Sequence, residues 1–233
     1  MKKILFLITV LFFIILQVHS LEVSKKELQS ISNNSTIEFI NYTGPHKKID
    51  SIEAIKGIGS NLAQNIPQNL TEFQKNGNLN RYSVIHAVDS SQKDKLDADI
   101  ILIGKDATVD HITNVRRIIS AYLSAAYNYS QEDADTLAVF ITVYNAVYRS
   151  DLDSFKSKYK DIVIQNLTKE NCGLSVNYKD WPGNSQIVIP LFDVTSSDIS
   201  TVDTSVISDT KVVTSMKEDD DKNVEARKNM VDI

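Results

Sequence analysis

Between Asp110 and Gly173 the apolar positions recur every three or four residues, the spacing that gathers side chains on one face of a helix. Ile112, Val115, Ile118, Ile119, Tyr122, Leu123 and Ala126 form a first stripe, with Arg116 and Arg117 on the opposite, solvent-facing side. Asp110 is placed to cap this helix, which the spacing starts at His111. Ser130-Gln131-Glu132-Asp133 opens a second helix with a capping-box pattern that also sets acids at the positive helix end. Its stripe is Ala134, Leu137, Ala138, Ile141, Tyr144, Val147 and Tyr148. After a break at Arg149-Ser150-Asp151, Ser150 with Asp153 repeats the cap signature. Leu152, Phe155, Tyr159, Ile162, Val163 and Leu167 then carry a third helix toward Gly173, a residue suited to a helix stop. Short connections favour antiparallel neighbours, so a helical hairpin is the predicted core.

The rest of the chain alternates or runs apolar over shorter lengths. Leu21 to Ile31 has a weak helical pattern, and Thr36 to Tyr42 alternates as a strand ending at the turn signal Gly44-Pro45. Ile52 to Ile66 reads as helix–turn–helix, and Pro67 to Asn80, rich in Asn and Gln, as an exposed loop. Tyr82 to Val88 is a predicted strand, Asp89 to Lys95 a charged connector. Ala98 to Ile103, bounded by Asp97 and Gly104, is a predicted central, well-buried strand. Trp181-Pro182-Gly183-Asn184 makes a turn before a last strand, Gln186 to Leu191, which Pro190 places at a sheet edge. From about Val194 the composition shifts to Ser, Thr and Asp, then to Glu218-Asp219-Asp220-Asp221-Lys222, too polar to offset its ordering entropy.

The expected fold class is therefore α+β: a mainly helical domain with a helical-hairpin core and a small sheet, followed by a disordered acidic tail. The expected boundaries are a signal peptide at 1–20, the domain at 21–192, and a polar, acidic linker or tail at 193–233. Lys2 and Lys3, the apolar run Ile4 to Val18 and the small-residue site Val18-His19-Ser20 make the export signal. That run is short for a membrane span, which needs roughly 20 residues, so cleavage rather than anchoring is expected. An exported chain whose only cysteine is Cys172 has no internal disulfide, and a buried structural thiol is the plain reading of that residue. The net charge of −5 at pH 7 argues against a protein built for polyanions.

Candidate chemistry is sparse. Ile52-x-x-Ile55-x-Gly57-Ile58-Gly59-x-x-x-Ala63-x-x-Ile66 has the spacing of a helix-hairpin-helix, in which Lys56, Gly57, Ile58 and Gly59 would offer backbone amides and one cation to a nucleic-acid phosphate. A tight helix–helix corner explains the same residues, and with Lys56 the only cation nearby it is the favoured explanation. His46, His86 and His111 have no metal-ligand spacing; His86 reads as a packed or partly exposed strand residue and His111 as a surface group. Glu132 with Asp133, or Asp151 with Asp153, would be the carboxylates of a cryptic hydrolase, but helix capping already accounts for both pairs. No nucleophile elbow, phosphate-binding glycine loop or Cys–His pair occurs. The expectation is no enzyme, no catalytic residue, no cofactor and no metal.

The run Ile141-Thr142-Val143-Tyr144-Asn145-Ala146-Val147-Tyr148-Arg149-Ser150-Asp151-Leu152-Asp153 resembles a hallmark of the spirochaetal 83/100-kDa antigen family. Lys169 to Ser175, Trp181, Gln186 to Leu191, Phe39 to Pro45, Gly57 to Gly59 and Asn114 to Ile118 fit the same family in order. The resemblance implies an exported, non-enzymatic envelope antigen, in the periplasm or at the cell surface, structural or host-facing, whose partner is an envelope or host protein. It implies no cofactor and gives no site residue. Family proteins continue into a charged, coiled-coil-like region and a further domain, so the chain is expected to be a short relative, a truncated product or a fragment.

Overall fold

A computed structural model describes residues 52–64, 81–105, 107, 111–191 and 197–216. Three strands, β1 (Tyr82–Ala87), β2 (Asp97–Ile103) and β3 (Ser185–Leu191), form an antiparallel sheet in the order β1-β2-β3. The three strands expected here are present, with the apolar β2 in the centre; the strand expected at 36–42 and the helical stretch at 21–31 lie outside the described residues. Side chains alternate between faces along a strand. Register therefore puts Val84, His86, Asp99, Ile101, Ile187 and Ile189 on one face and Ile85, Ala98, Ile100 and Val188 on the other. Apart from His86, all of these are buried, so the sheet is covered on both sides.

The outer edge of β3 is closed by side chains and loop rather than by a fourth strand. The Asn145 amide accepts from Val188 N–H at 2.8 Å and donates to Val188 O at 2.9 Å, imitating a strand partner. Gln186 N–H donates to Asn171 O, and Gly173 N–H donates to Gln186 O. Pro190, next in this outward row, has no N–H to satisfy. This is why a proline is tolerated in an otherwise buried strand.

The helices are α1 (Ile52–Gln64), α2 (Ile112–Tyr127), α3 (Gln131–Val147), α4 (Leu152–Lys158) and the single turn α5 (Asp161–Ile164). Helices α2 and α3 form the expected hairpin. Asn128 ends α2 in the left-handed conformation at φ 59°, and the Ser130 side chain caps α3 by accepting from Asp133 N–H. The N-cap position of α2 is His111 and the helix starts at Ile112, one residue later than expected; Asp110 lies outside the described residues. The third helix does not run on to Gly173. Leu96 accepts from Lys160 N–H and donates to Lys158 O, both at 3.0 Å, which pulls the buried Tyr159 into an extended conformation between α4 and α5. Gly173 does have positive φ, at 81°, but it sits in a bridge to Gln186 rather than at a helix end. A Cβ there would collide with Asn145 O.

The region 52–66 is corrected as well. Residues 52–64 form one continuous helix, with no turn between two helices. Gly59 is buried against α2, where a Cβ would overlap Ile118 O and stand 2.8 Å from Tyr122 N. Gly57 meets nothing within 4 Å. The two glycines thus have different reasons to exist: one permits close helix packing, the other has no steric demand.

The first part of the expected tail also folds. A 3₁₀ turn at Ile199–Thr201 and a helical stretch at 210–216 (α6) return to the helices, with Ile207 and Val212 fully buried. The Tyr148 hydroxyl donates to Asp209 Oδ2 at 2.6 Å, and Lys158 pairs with the same carboxylate at 3.3 Å while lying over the rings of Tyr144 and Tyr148. Isolated Val and Ile residues in a Ser/Thr/Asp-rich stretch were enough to anchor it, because Ile207 and Val212 join the buried core that also holds the aromatic cluster of Tyr144, Tyr148, Phe155 and Tyr159. Residues 217–233 lie outside the described residues. Among the described residues no helix is long and apolar enough to cross a membrane.

Two outcomes follow for stability. Gly59→Ala is expected to cost about 1–3 kcal/mol through overpacking, whereas Gly57→Ala should stabilise by up to about 1 kcal/mol through helix propensity; urea unfolding of the two variants checks the opposite signs. Ile207→Ala should cost about 2–4 kcal/mol as a buried truncation, measured the same way, whereas an unattached tail would tolerate it without loss.

Candidate functional site

The most unusual group in the fold is Asp99. It stands inside the apolar run of the central strand and is fully buried, the only buried carboxylate among the described residues. A carboxylate removed from water is costly unless hydrogen bonds replace the lost hydration. Three donors do so here. Tyr122 and Tyr127 both donate their hydroxyls to Oδ2, the first at 2.5 Å. His86 Nδ1 lies 2.7 Å from Oδ1.

The sequence places these donors simply. His86 and Asp99 are directly opposite in the β1–β2 register. Tyr122 belongs to the apolar stripe of α2 and Tyr127 is its last residue, with the two rings edge to face at 6.1 Å. Burial, and then the neighbouring Asp99 charge, push both phenols far above their ordinary range, so they remain protonated donors. The hydrogen bond that His86 donates to Asp99 raises the His86 pKa against the opposing effect of burial, with the charges of Asp99 and Asp97 adding to the rise. Below this cluster, Lys160 is buried and its ammonium lies 2.7 Å from Asp97 Oδ2 and against Asp89 O, fixing the β1–β2 connector.

An Asp–His pair is also how acid–base sites orient an imidazole. The remaining parts of such a site are not assembled around it. Among the described residues no serine, threonine or cysteine is hydrogen-bonded to His86, whose side chain is 32 % exposed. Cys172 is buried beside Gln186, and burial pushes its thiol above the ordinary range, which disfavours the reactive thiolate. Both oxygens of Asp99 are already taken by internal donors. What the geometry does is fasten β1, β2 and α2 to one another.

The residues singled out from sequence fall elsewhere. Lys56, Gly57, Ile58 and Gly59 lie within α1, where the backbone amides belong to the helix and no glycine turn is available to cradle a phosphate. The phosphate-binding reading of this stretch is not retained. His111 is half-buried rather than a surface group, and burial, with Arg117 beside it, pushes its pKa down to about 4. Arg116 is not solvated on the outer face: its Nε donates to Thr142 Oγ1 at 2.9 Å and ties α2 to α3. Arg117 donates to Asn114 Oδ1 at 2.8 Å. Asp151 caps α4 and Asp153 pairs with Lys156, while Glu132 and Asp133 occupy the first turn of α3. His46 lies outside the described residues. Among the described residues no three His, Cys, Asp or Glu side chains group as metal ligands.

Sequence reasoning passed over Asp99, Tyr122 and Tyr127 as a set. One signal was present: an acid flanked by Ala98 and Ile100 in a strand read as buried must find donors. Its partners on α2 could be recognised only once the helix was laid on the sheet.

Fold and cluster together define a mainly helical α+β domain whose sheet and helix are joined by an internal carboxylate. The chain belongs to the Borrelia P83/100 protein family, whose family model matches residues 25–233. It is thus a spirochaetal antigen. No curated protein matches the chain, and no solved structure does.

Tyr122→Phe is expected to cost about 1–3 kcal/mol of folding stability, because the buried carboxylate loses a donor that water cannot replace. Chemical denaturation of the variant checks this value. An unchanged midpoint would mean that Asp99 does not depend on that hydroxyl.

Proposed function

We propose that the protein is exported to the spirochaete envelope, where the described domain is a rigid interaction module for an envelope or host protein. The observation that carries the reading is the family match over residues 25–233. It is supported by the N-terminal pattern of Lys2, Lys3 and the apolar run Ile4 to Val18, which has the form of an export signal. It is also supported by the use of the buried polar groups. Asp99, Asn145 and Lys160 bond to other parts of the same domain, which leaves recognition to the surface.

Protease treatment of intact cells, followed by antibody detection of this chain, tests the location. Rapid loss with a periplasmic control spared places the domain on the cell surface and directs the search to host proteins. Protection until the outer membrane is permeabilised places it in the periplasm, with an envelope component as partner. Recovery of the chain in the cytoplasmic fraction with its first 20 residues intact would overturn the proposal.

A further inference from the structure

We propose that the Asp99 cluster is a pH-responsive fastening, in which protonation of His86 tightens the joint between β1 and β2, so that the folded domain is held more firmly in mildly acidic than in mildly alkaline surroundings. The geometry assigns this role to His86 alone among the three donors. Tyr122 and Tyr127 are locked against the same carboxylate, and their phenols stay neutral well beyond the physiological range. His86 is different in both chemistry and position. Its ordinary pKa lies near neutrality, and it sits on an outer strand with 32 % of its side chain exposed, so it can exchange its proton with solvent while Asp99 stays fully buried.

The charges around His86 point the same way. From β2 it faces Asp99 at 2.7 Å and, at longer range, Asp97; both favour the imidazolium. The Asp97 charge is partly offset by the Lys160 ammonium, 2.7 Å from it. From α2 the facing groups are the two neutral phenols. The other element packed on β1 is α1, whose titratable groups are Glu53 and Lys56; neither contributes to the shift of His86. A charge-assisted bond to a carboxylate is stronger than a neutral one. Loss of the proton therefore weakens the joint without removing it.

The direction in pH follows from linkage. The folded pKa of His86 is raised above the ordinary 6.5, so its contribution is fully present below about 6.5 and is lost as pH rises through the folded value. His111 acts in the opposite sense. With a folded pKa of about 4, it removes stability as pH falls from 6.5 toward 4. The raw stability curve mixes the two, and only comparison with a His86 variant separates them.

The test is urea unfolding of the whole chain and of His86→Gln between pH 6 and pH 9, with an NMR titration of the His86 ring in the unsubstituted protein. The ring should titrate above 6.5. The ratio of the two folding equilibrium constants should be largest at pH 6 and shrink as pH rises, by about tenfold for each unit of upward shift that the NMR titration gives. Asp99→Asn provides a second reading: where it folds, the His86 pKa should drop back toward its ordinary value. A ring that titrates at or below 6.5 overturns the proposal. So does a wild-type to His86→Gln ratio that does not change with pH.

Discussion

A carboxylate with no access to water sets the terms for the rest of this domain. Once Asp99 occupies the middle of the central strand, three donors must reach it, and they come from two other elements. That requirement fixes the β1–β2 register at His86 opposite Asp99, because a one-residue slip would turn His86 to the other face. It also fixes where α2 crosses the sheet, since the two tyrosine hydroxyls must end on one oxygen. A hydrophobic side chain at this position would fill the space and permit neighbouring arrangements. The buried charge is less tolerant, because each misplaced donor leaves part of it unsolvated.

Other polar side chains extend the same logic to the edges of the fold. Asn145 closes the free edge of β3, and Arg149 donates to the carbonyls of Glu170, Cys172 and Gly173 in the loop that completes that closure. Lys160 holds the β1–β2 connector, and Asp209 joins the C-terminal segment to Tyr148 and Lys158. Apolar contact supplies most of the driving force in a protein of this size. These bonds instead decide which of the possible compact packings is adopted.

A member of the Borrelia P83/100 family built in this way has an interior fastened at fixed points by buried hydrogen bonds. The interior is not electrostatically silent, however. Its titratable donor, His86, couples the central joint to the pH of the surroundings, while the half-buried His111 responds in the opposite direction.

The sequence by itself determined the local elements. The 3.6-residue stripe of α2 and α3, the Ser130 cap, the buried β2 and the edge position of Pro190 are each consequences of residues close together in the chain, where periodicity and backbone chemistry act directly. Tertiary structure decided the rest. Only the bridge from Leu96 could break the helix at Tyr159, and only the backbone of α2 against Gly59 could turn a Gly-x-Gly stretch into a packing contact within one helix. The core took in Ile207 and Val212 from a segment whose composition reads as linker, and Tyr148 bonds Asp209 beside them. The Asp99 joint belongs to the same class, because its donors are 13, 23 and 28 residues away in sequence. Local pattern records what a residue prefers, whereas a partner brought in from a distant element changes the free energy of that preference.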